Sequence, residues 1–174
     1  EINSNVKFEN NTFEFEDVSK SIVSLNLNMR KSDVTIHNCS FSKSRLCADS
    51  DDPYVNTIRA ELVSKLNISE CTFYESGNVD GDTYGGGNVI WVGLNKGTKK
   101  NENIECYIEK CIFNRTAAPI AAYTESVTFI GNILYECGRN TFRISSREPS
   151  TRGFILRDNL FTKHILNDQV PPNP

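Results

Sequence analysis

The sequence is short of several residue types, and each shortage excludes a class of protein. It has two histidines, and none of its six cysteines shows the paired C-x-x-C spacing of a zinc site, so a His/Cys metal centre is not expected. The net charge of −3 leaves no basic excess for a nucleic-acid surface. Helix signals are nearly absent, and no apolar run approaches the ~20 residues that a membrane-spanning helix needs. We therefore expect an all-β chain that binds no nucleic acid and does not insert into a membrane.

What the sequence does contain is one eight-residue frame, written six times. Its pattern is apolar-x-apolar-x-x-(Asn or Cys)-x-(Phe or Leu). The copies begin at Val6, Val34, Leu66, Cys106, Val127 and Phe154. The spacing between copies varies, which indicates fixed strands joined by loops of different length, as in a stacked solenoid.

Each frame alternates like one half-buried strand, and two of its positions repeat as columns. The sixth position holds Asn11, Cys39, Cys71, Cys111, Asn132 and Asn159. The eighth position holds Phe13, Phe41, Phe73, Phe113, Leu134 and Phe161. Inward asparagines can hydrogen-bond along the axis, and inward cysteines pack as small apolar groups, which favours free thiols over disulfides. A leucine-rich repeat needs a more regular period and several leucines in each copy, so the columns predict a parallel β-helix.

A second apolar segment lies before each later frame. These segments cover residues 22–27, 58–62, 90–94, 120–123 and 142–145. A coil is then segment, corner, frame, corner, and residues 1–170 form one domain. The Pro-rich tail, residues 171–174, cannot extend a strand ladder. The first frame begins at Val6 without a cap, which predicts adjoining coils or a subunit beyond the N-terminus.

On these columns the chain resembles the right-handed parallel β-helix superfamily, which includes pectate lyases, chondroitinase-B-type and alginate lyases, and many surface adhesins. The resemblance runs from residue 6 to about residue 165 and implies a single right-handed solenoid of about five to six coils, part of a longer helix. It implies the fold more than the activity, because one fold supports many functions. A secreted, periplasmic or cell-surface location agrees with this fold and with four N-x-S/T sequons, at Asn10, Asn38, Asn67 and Asn114.

Alternation along the second segments predicts one open face. One outward column reads Ser24, Arg59, Trp91, Ala121 and Arg143, and its neighbour reads Asn26, Glu61, Gly93, Tyr123 and Ser145. An exposed Trp91 beside arginines suits a sugar ring with carboxylate or sulfate groups, because the indole stacks on the ring and a guanidinium binds the anion. Gly93 is expected to leave open space beside it. The predicted ligands of an acidic polysaccharide are Asn26, Arg59, Glu61, Trp91, Tyr123 and Arg143. In the alternative, a loop covers Trp91, and Arg59 with Glu61 is a plain surface ion pair.

In the lyases that the chain resembles, a basic residue removes the proton α to a uronate carboxylate while Ca²⁺ or arginine neutralises that carboxylate. The resemblance implies Arg59 or Arg143 for neutralisation. It implies Lys65 or Tyr123 for proton transfer. The paired acidic ligands of a calcium-assisted site do not stand out on this face. A non-enzymatic surface or adhesin module, binding a protein partner through its long loops, is therefore the alternative.

A separate calcium site is the one cofactor that the sequence suggests. Asp80 and Asp82 place oxygen ligands at alternate positions, as a Ca²⁺ loop does. The segment lacks the full ligand spacing and a terminal bidentate Glu, so a solvated loop is the competing interpretation.

Overall fold

The computed structural model of the chain is all-β. It describes residues 4–15, 25–43, 56–76, 88–93, 104–116, 118–124, 126–137, 142–144 and 153–162, without the side chains of 143 and 144. These residues form seventeen short strands and no helix. Within the described ranges, no helix is long and apolar enough to cross a membrane. The prediction of an all-β chain is confirmed for the residues that the structure describes.

The strands belong to three sheets in which every strand pair is parallel. Sheet 1 contains β1 (Asn5–Glu9), β4 (Asp33–His37), β7 (Lys65–Ser69), β10 (Glu105–Glu109), β13 (Ser126–Ile130) and β16 (Gly153–Arg157). Sheet 2 contains β2 (Thr12–Glu14), β5 (Ser40–Ser42), β8 (Thr72–Tyr74), β11 (Ile112–Asn114), β14 (Ile133–Tyr135) and β17 (Leu160–Thr162). Sheet 3 contains β3 (Leu25–Leu27), β6 (Asn56–Ala60), β9 (Asn88–Val92), β12 (Ala118–Ala122) and β15 (Phe142–Ile144).

The chain passes through sheets 1, 2 and 3 in turn and then repeats the cycle. Each strand pairs with the strand of the same sheet in the following coil. The first residues of the six frames lie opposite one another along sheet 1, so their predicted alignment is confirmed pair by pair. This cyclic order with parallel pairing is consistent with a parallel β-solenoid.

The backbone bends at the fifth position of every frame, so each frame is two strands rather than the one strand predicted. The residues at this position have φ angles between 50° and 65°: Asn10, Asn38, Glu70, Lys110, Gly131 and Asp158. Left-handed backbone suits Gly, and to a lesser degree Asn and Asp, whereas other residue types lose roughly 1–2 kcal/mol there. The frame therefore supplies one strand to sheet 1 and one to sheet 2. The predicted coil of two β segments is wrong in this respect, and the coil has three.

At the bend, a backbone carbonyl and a backbone N–H have no partner in the strand ladder. The side chain at the sixth frame position forms hydrogen bonds with both. We call this position the slot. The Asn132 amide donates from Nδ2 to the carbonyl of Ile108 (3.0 Å), and its Oδ1 accepts the N–H of Cys111 (2.8 Å). The Asn159 amide makes the same two bonds, to the carbonyl of Phe129 (2.8 Å) and from the N–H of Asn132 (2.8 Å). Each slot asparagine thus joins its own coil to the preceding one.

The slot cysteines occupy the same two positions with a thiol. The Cys71 thiol donates to the carbonyl of Ile36 (3.5 Å), and the Cys111 thiol donates to the carbonyl of Ile68 (3.8 Å). The sulfur of Cys71 also accepts a backbone hydrogen bond from Cys39 in the preceding coil. Because sulfur is a weak donor and acceptor, a thiol makes weaker bonds than an amide while filling a similar space. The cysteines within the described residues are buried and free, as predicted.

The inward columns form one continuous core. Phe13, Phe41, Phe73 and Phe113 stack with ring centroids 4.8, 5.1 and 4.9 Å apart. Sheet 3 adds the predicted inward residues Ile58, Ala60, Ile90, Val92, Ile120 and Ala122, all of which are fully buried. The phenylalanine column and the inward face of sheet 3 are therefore confirmed.

Replacing Asn132 tests the role of the slot. Asn132→Ala leaves the buried carbonyl of Ile108 and the N–H of Cys111 without their partners, so the free energy of unfolding should fall by about 2–4 kcal/mol. Asn132→Cys should cost clearly less, because a thiol fills the slot in three other coils. Urea denaturation measures both changes. Asn67→Ala, on the outer face of β7, is the control and should change stability by less than about 0.5 kcal/mol. Equal losses for the Ala and Cys variants would contradict this account of the slot.

Candidate functional site

The residues predicted to bind a glycan lie on sheet 3. The strand pairing of this sheet differs from the predicted register at β3. Arg59, Trp91, Ala121 and Arg143 lie opposite one another in register, as expected. Their neighbour in β3 is Asn26 rather than Ser24, because Asn26 pairs with Arg59. Asn26 therefore belongs to the Trp91 column and not to the column of Glu61, and this corrects the predicted register by two residues. Ser24 and Ser145 lie outside the described residues.

Trp91 is not exposed, which overturns the predicted open face at its centre. Only 4 % of its surface is accessible, and Tyr123 is buried as well. The indole Nε1 donates to the carbonyl of Gly93 (2.8 Å), and the indole ring lies 4.9 Å from the Tyr123 ring. With Ala121 the two rings form a small apolar cluster separate from the main core. Two aromatic rings that are buried outside the main core indicate that the outer side of sheet 3 is covered at Trp91 rather than open to a ligand.

Gly93 does not leave open space beside Trp91. A Cβ at this position would lie 2.6 Å from the carbonyl oxygen of Tyr123, and the residue has a φ of +88°. The N–H of Gly93 donates to the carbonyl of Ala60 (2.8 Å), which holds the glycine between two coils. Gly93 is therefore required by close backbone packing and by its conformation.

Arg59 and Glu61 form an ion pair, as the competing interpretation of this surface expected. Arg59 Nε donates to Glu61 Oε1 at 2.8 Å, and Nη2 bonds the same oxygen. Both side chains are partly exposed. The carboxylate compensates the charge of the guanidinium, which weakens its attraction for an anionic sugar.

The remaining predicted residues lie on different parts of the molecule. Lys65 begins β7 in sheet 1, between Asp33 and Glu105, and its Nζ lies 5.0 Å from the centre of the Tyr107 ring. It is thus on a different sheet from Arg59 and Trp91. The side chain of Arg143 lies outside the described part of the chain, as do the calcium candidates Asp80 and Asp82. Among the described residues, no group of three His, Cys, Asp or Glu side chains is arranged to hold a metal ion.

The outer side of sheet 2 is the exposed apolar surface that sequence reasoning missed. One outward column reads Thr12, Ser40, Thr72, Ile112, Ile133 and Leu160, and the next reads Glu14, Ser42, Tyr74, Asn114, Tyr135 and Thr162. Ile112, Ile133 and Leu160 are 41 %, 40 % and 57 % exposed, and Tyr74 is exposed beside them. We call Tyr74, Ile112, Asn114, Ile133 and Tyr135 the tyrosine–isoleucine face. The signal was present in the sequence, since the seventh frame position changes from Thr or Ser to Ile or Leu in the last three copies.

One arginine stands at the edge of this face. Arg115 follows Asn114 and has a left-handed backbone, with a φ of 53°. Its guanidinium lies between two carboxylates, with Nη1 3.0 Å from Glu75 and Nε 3.7 Å from Glu136. The hydrogen bond to Tyr74 and then the charge of Glu75 raise the pKa of Arg115 above its ordinary value. Arg115 is therefore a charged group that already has anionic neighbours.

Comparisons with known proteins assign no relative. No family model matches the chain, and neither a curated protein nor a solved structure matches it. The superfamily named from the frame columns therefore stays a prediction.

Alanine substitutions at Gly131 and Gly93 distinguish the energetic cost of close packing from the cost of a left-handed backbone. Gly131→Ala should lower the free energy of unfolding by about 1–2 kcal/mol, because its φ of +65° is left-handed but the nearest atom to a new Cβ, Lys110 Cγ, is 3.8 Å away. Gly93→Ala meets the Tyr123 carbonyl as well and should cost about 1–3 kcal/mol more. Urea denaturation of the two variants measures the difference. If both variants lost the same free energy of unfolding, the short distance between Gly93 and the Tyr123 carbonyl would not contribute to stability.

Proposed function

We propose that the chain is a right-handed parallel β-helix of five to six coils, secreted, periplasmic or on a cell surface, that binds a polysaccharide. The proposed binding surface is the tyrosine–isoleucine face of sheet 2 rather than the Trp91 column of sheet 3. The observation that carries the proposal is the exposed column of Ile112, Ile133 and Leu160 beside Tyr74. Soluble domains seldom expose adjoining large apolar side chains unless the patch binds something.

The chemistry of this face suits a sugar. Ile112 and Ile133 form an apolar strip against which the C–H face of a pyranose ring can pack. Asn114 lies between Tyr74 and Tyr135 in register, so an amide alternates with two aromatic rings that carry hydroxyl groups. The tyrosine rings supply apolar area, and their hydroxyl groups supply hydrogen bonds to the sugar rim.

The regular spacing of the face favours a polymer over a single sugar. Neighbouring strands of a sheet lie about 4.8 Å apart, so equivalent side chains recur at that interval along the solenoid. A polysaccharide also presents the same unit at a fixed interval, and successive units can meet successive strands. Binding of several units along one sheet face also lowers the entropic cost of each contact, because the units are already linked to one another.

The charges near the face favour a neutral polysaccharide. Arg115 has Glu75 and Glu136 beside it, which leaves this edge with an excess of negative charge. Arg59 on sheet 3 is paired with Glu61. Binding of an acidic polysaccharide stays a prediction from the sequence. Uronate-containing polysaccharides are therefore the second set of ligands in the binding experiment. Cleavage by a lyase reaction also stays a prediction, and ultraviolet absorbance of an unsaturated uronate product tests it directly.

Tyr74→Ala and Tyr135→Ala test the binding face. Each removes one ring from the contact, so each should weaken binding of a neutral polysaccharide by about 1–2 kcal/mol, or roughly five- to thirtyfold in Kd. Isothermal titration calorimetry with neutral and uronate-containing polysaccharides measures the change.

Tyr107→Ala is the matched control, because Tyr107 is an outward tyrosine on sheet 1. It should leave the affinity unchanged. The proposal would be contradicted if the protein bound none of the polysaccharides. It would also be contradicted if only Tyr107→Ala weakened binding. A protein that bound no polysaccharide of the panel but bound a protein partner through its long loops would favour the adhesin-type module instead.

A further inference from the structure

The four N-x-S/T sequons have no part in the proposed binding function, and all four lie within the described residues. They begin at Asn10, Asn38, Asn67 and Asn114. An N-linked glycan is bulky and hydrated, so a folded protein accommodates it only where the asparagine amide faces solvent. A transferase that meets the chain after its strands have formed also needs the Ser or Thr hydroxyl on the same open side. The positions of these two groups therefore distinguish one sequon from another.

The sequon of Asn38 lies on the outside of the molecule. Asn38 is exposed at the left-handed bend after β4, and its backbone N–H donates to the carbonyl of Ser69 (3.0 Å). The backbone is thus held in the coil while the side chain projects from it. Cys39 is buried in the core, and Ser40 returns to the outer side, where its Oγ donates to Thr12 Oγ1 (3.1 Å). The amide and the hydroxyl of this sequon therefore face the same side.

The hydrogen bonding of the Asn38 amide is compatible with a glycan. Nδ2 carries two hydrogens, and it donates to Asn10 Oδ1 at 2.7 Å. An N-glycosidic bond replaces one hydrogen of Nδ2 and keeps the other. Asn38 also belongs to an interior coil of the described ladder, since the preceding His37 pairs with Glu9 on one side and with Ser69 on the other. Its exposure is therefore not that of an outer strand.

The sequon of Asn114 is arranged differently. Arg115 has a left-handed backbone, and after this bend Thr116 is fully buried, with its hydroxyl 3.3 Å from the sulfur of Cys137. The Oδ1 atom of Asn114 is enclosed as well. Its neighbours in register are the two tyrosines of the tyrosine–isoleucine face. The hydroxyl and the amide of this sequon therefore do not share an open side, and a glycan would displace the side chains around Asn114.

The sequon of Asn67 is less open than that of Asn38. Asn67 points outward from β7 but is half-buried, with Thr35 and Tyr107 beside it in register. Ser69 is half-buried too, and its Oγ lies 3.0 Å from His37 Nδ1. Among the sequons that lie in interior coils of the described ladder, Asn38 is therefore the one with an exposed amide.

We propose that Asn38 is an N-glycosylation site. In the transfer, Asn38 Nδ2 forms a bond to C1 of the first sugar of a lipid-diphosphate-linked oligosaccharide. The bond between C1 and the diphosphate oxygen breaks, its electron pair leaves with the diphosphate, and one proton of Nδ2 passes to a base of the transferase. The inference rests on the secreted or cell-surface location in the proposed function, because such a transferase meets chains that are exported. It does not depend on polysaccharide binding.

Two serines of β5 give a matched test. Ser40 completes the sequon, whereas Ser42 lies on the same outer side and outside any sequon. The full chain is secreted from mammalian cells behind a signal peptide, and the folded product is treated with peptide N-glycosidase in heavy-oxygen water. Peptide mass spectrometry then detects the heavy-oxygen label that release of a glycan leaves at its asparagine. Wild type and Ser42→Ala should carry this label at Asn38, and Ser40→Ala should lose it at least about tenfold.

Ser40→Thr is the conservative variant, and it should keep the label at Asn38 because the sequon hydroxyl remains. Circular dichroism checks that each secreted variant is folded. Folded wild-type protein without a label at Asn38 would overturn the proposal. So would a label at Asn114 with none at Asn38, or equal labelling of Ser40→Ala and Ser42→Ala. Polysaccharide binding is measured separately on unglycosylated protein from bacteria, so failure of the glycosylation site is distinguishable from failure of the binding function.

Discussion

The structure depends on how the backbone polar groups beside the left-handed bend are satisfied. At the bend the regular strand ladder is interrupted, and a carbonyl and an N–H of each coil face the slot of the next coil. A buried group of this kind without a partner costs about 1–3 kcal/mol. The slot side chain supplies both partners at once, as the bonds of Asn132 to Ile108 and Cys111 show. The bend is thus possible because the following coil completes it.

Asparagine and cysteine share this role for different reasons. An amide supplies a strong donor and a strong acceptor, whereas a thiol supplies weak ones and gains more from apolar burial. Burial is the largest cause that raises the pKa of Cys111, so its thiol stays neutral in the core. The non-slot Cys106 is fully enclosed, and burial raises its pKa to about 12. These cysteines behave as small apolar residues in the core that also contains Phe41, Phe73 and Phe113.

The sequence predicted the stacking of coils well and the exposure of their outer faces poorly. Columns such as Phe41 over Phe73 follow from the repeated frame and from the size of the side chain at each frame position. Both can be read from a single sequence. The bend was missed because Glu70 and Lys110 are not residue types that signal a left-handed backbone. Burial of Trp91 was missed for another reason. Alternation tells on which side of a strand a residue lies, but it does not tell what packs over that side. The exposed isoleucines of sheet 2 were missed because the frame was taken as one strand, so its seventh position had no face assigned.

The direction of the slot ladder has a consequence for how such a chain can change in length. Since every coil completes the one before it, inserting or removing a whole frame with its segment preserves all the partners, whereas a change of one or two residues inside a frame breaks two coils. Loops between frames carry no such restriction. Insertion or removal of a whole coil is therefore the change of chain length that leaves every slot hydrogen bond with a partner.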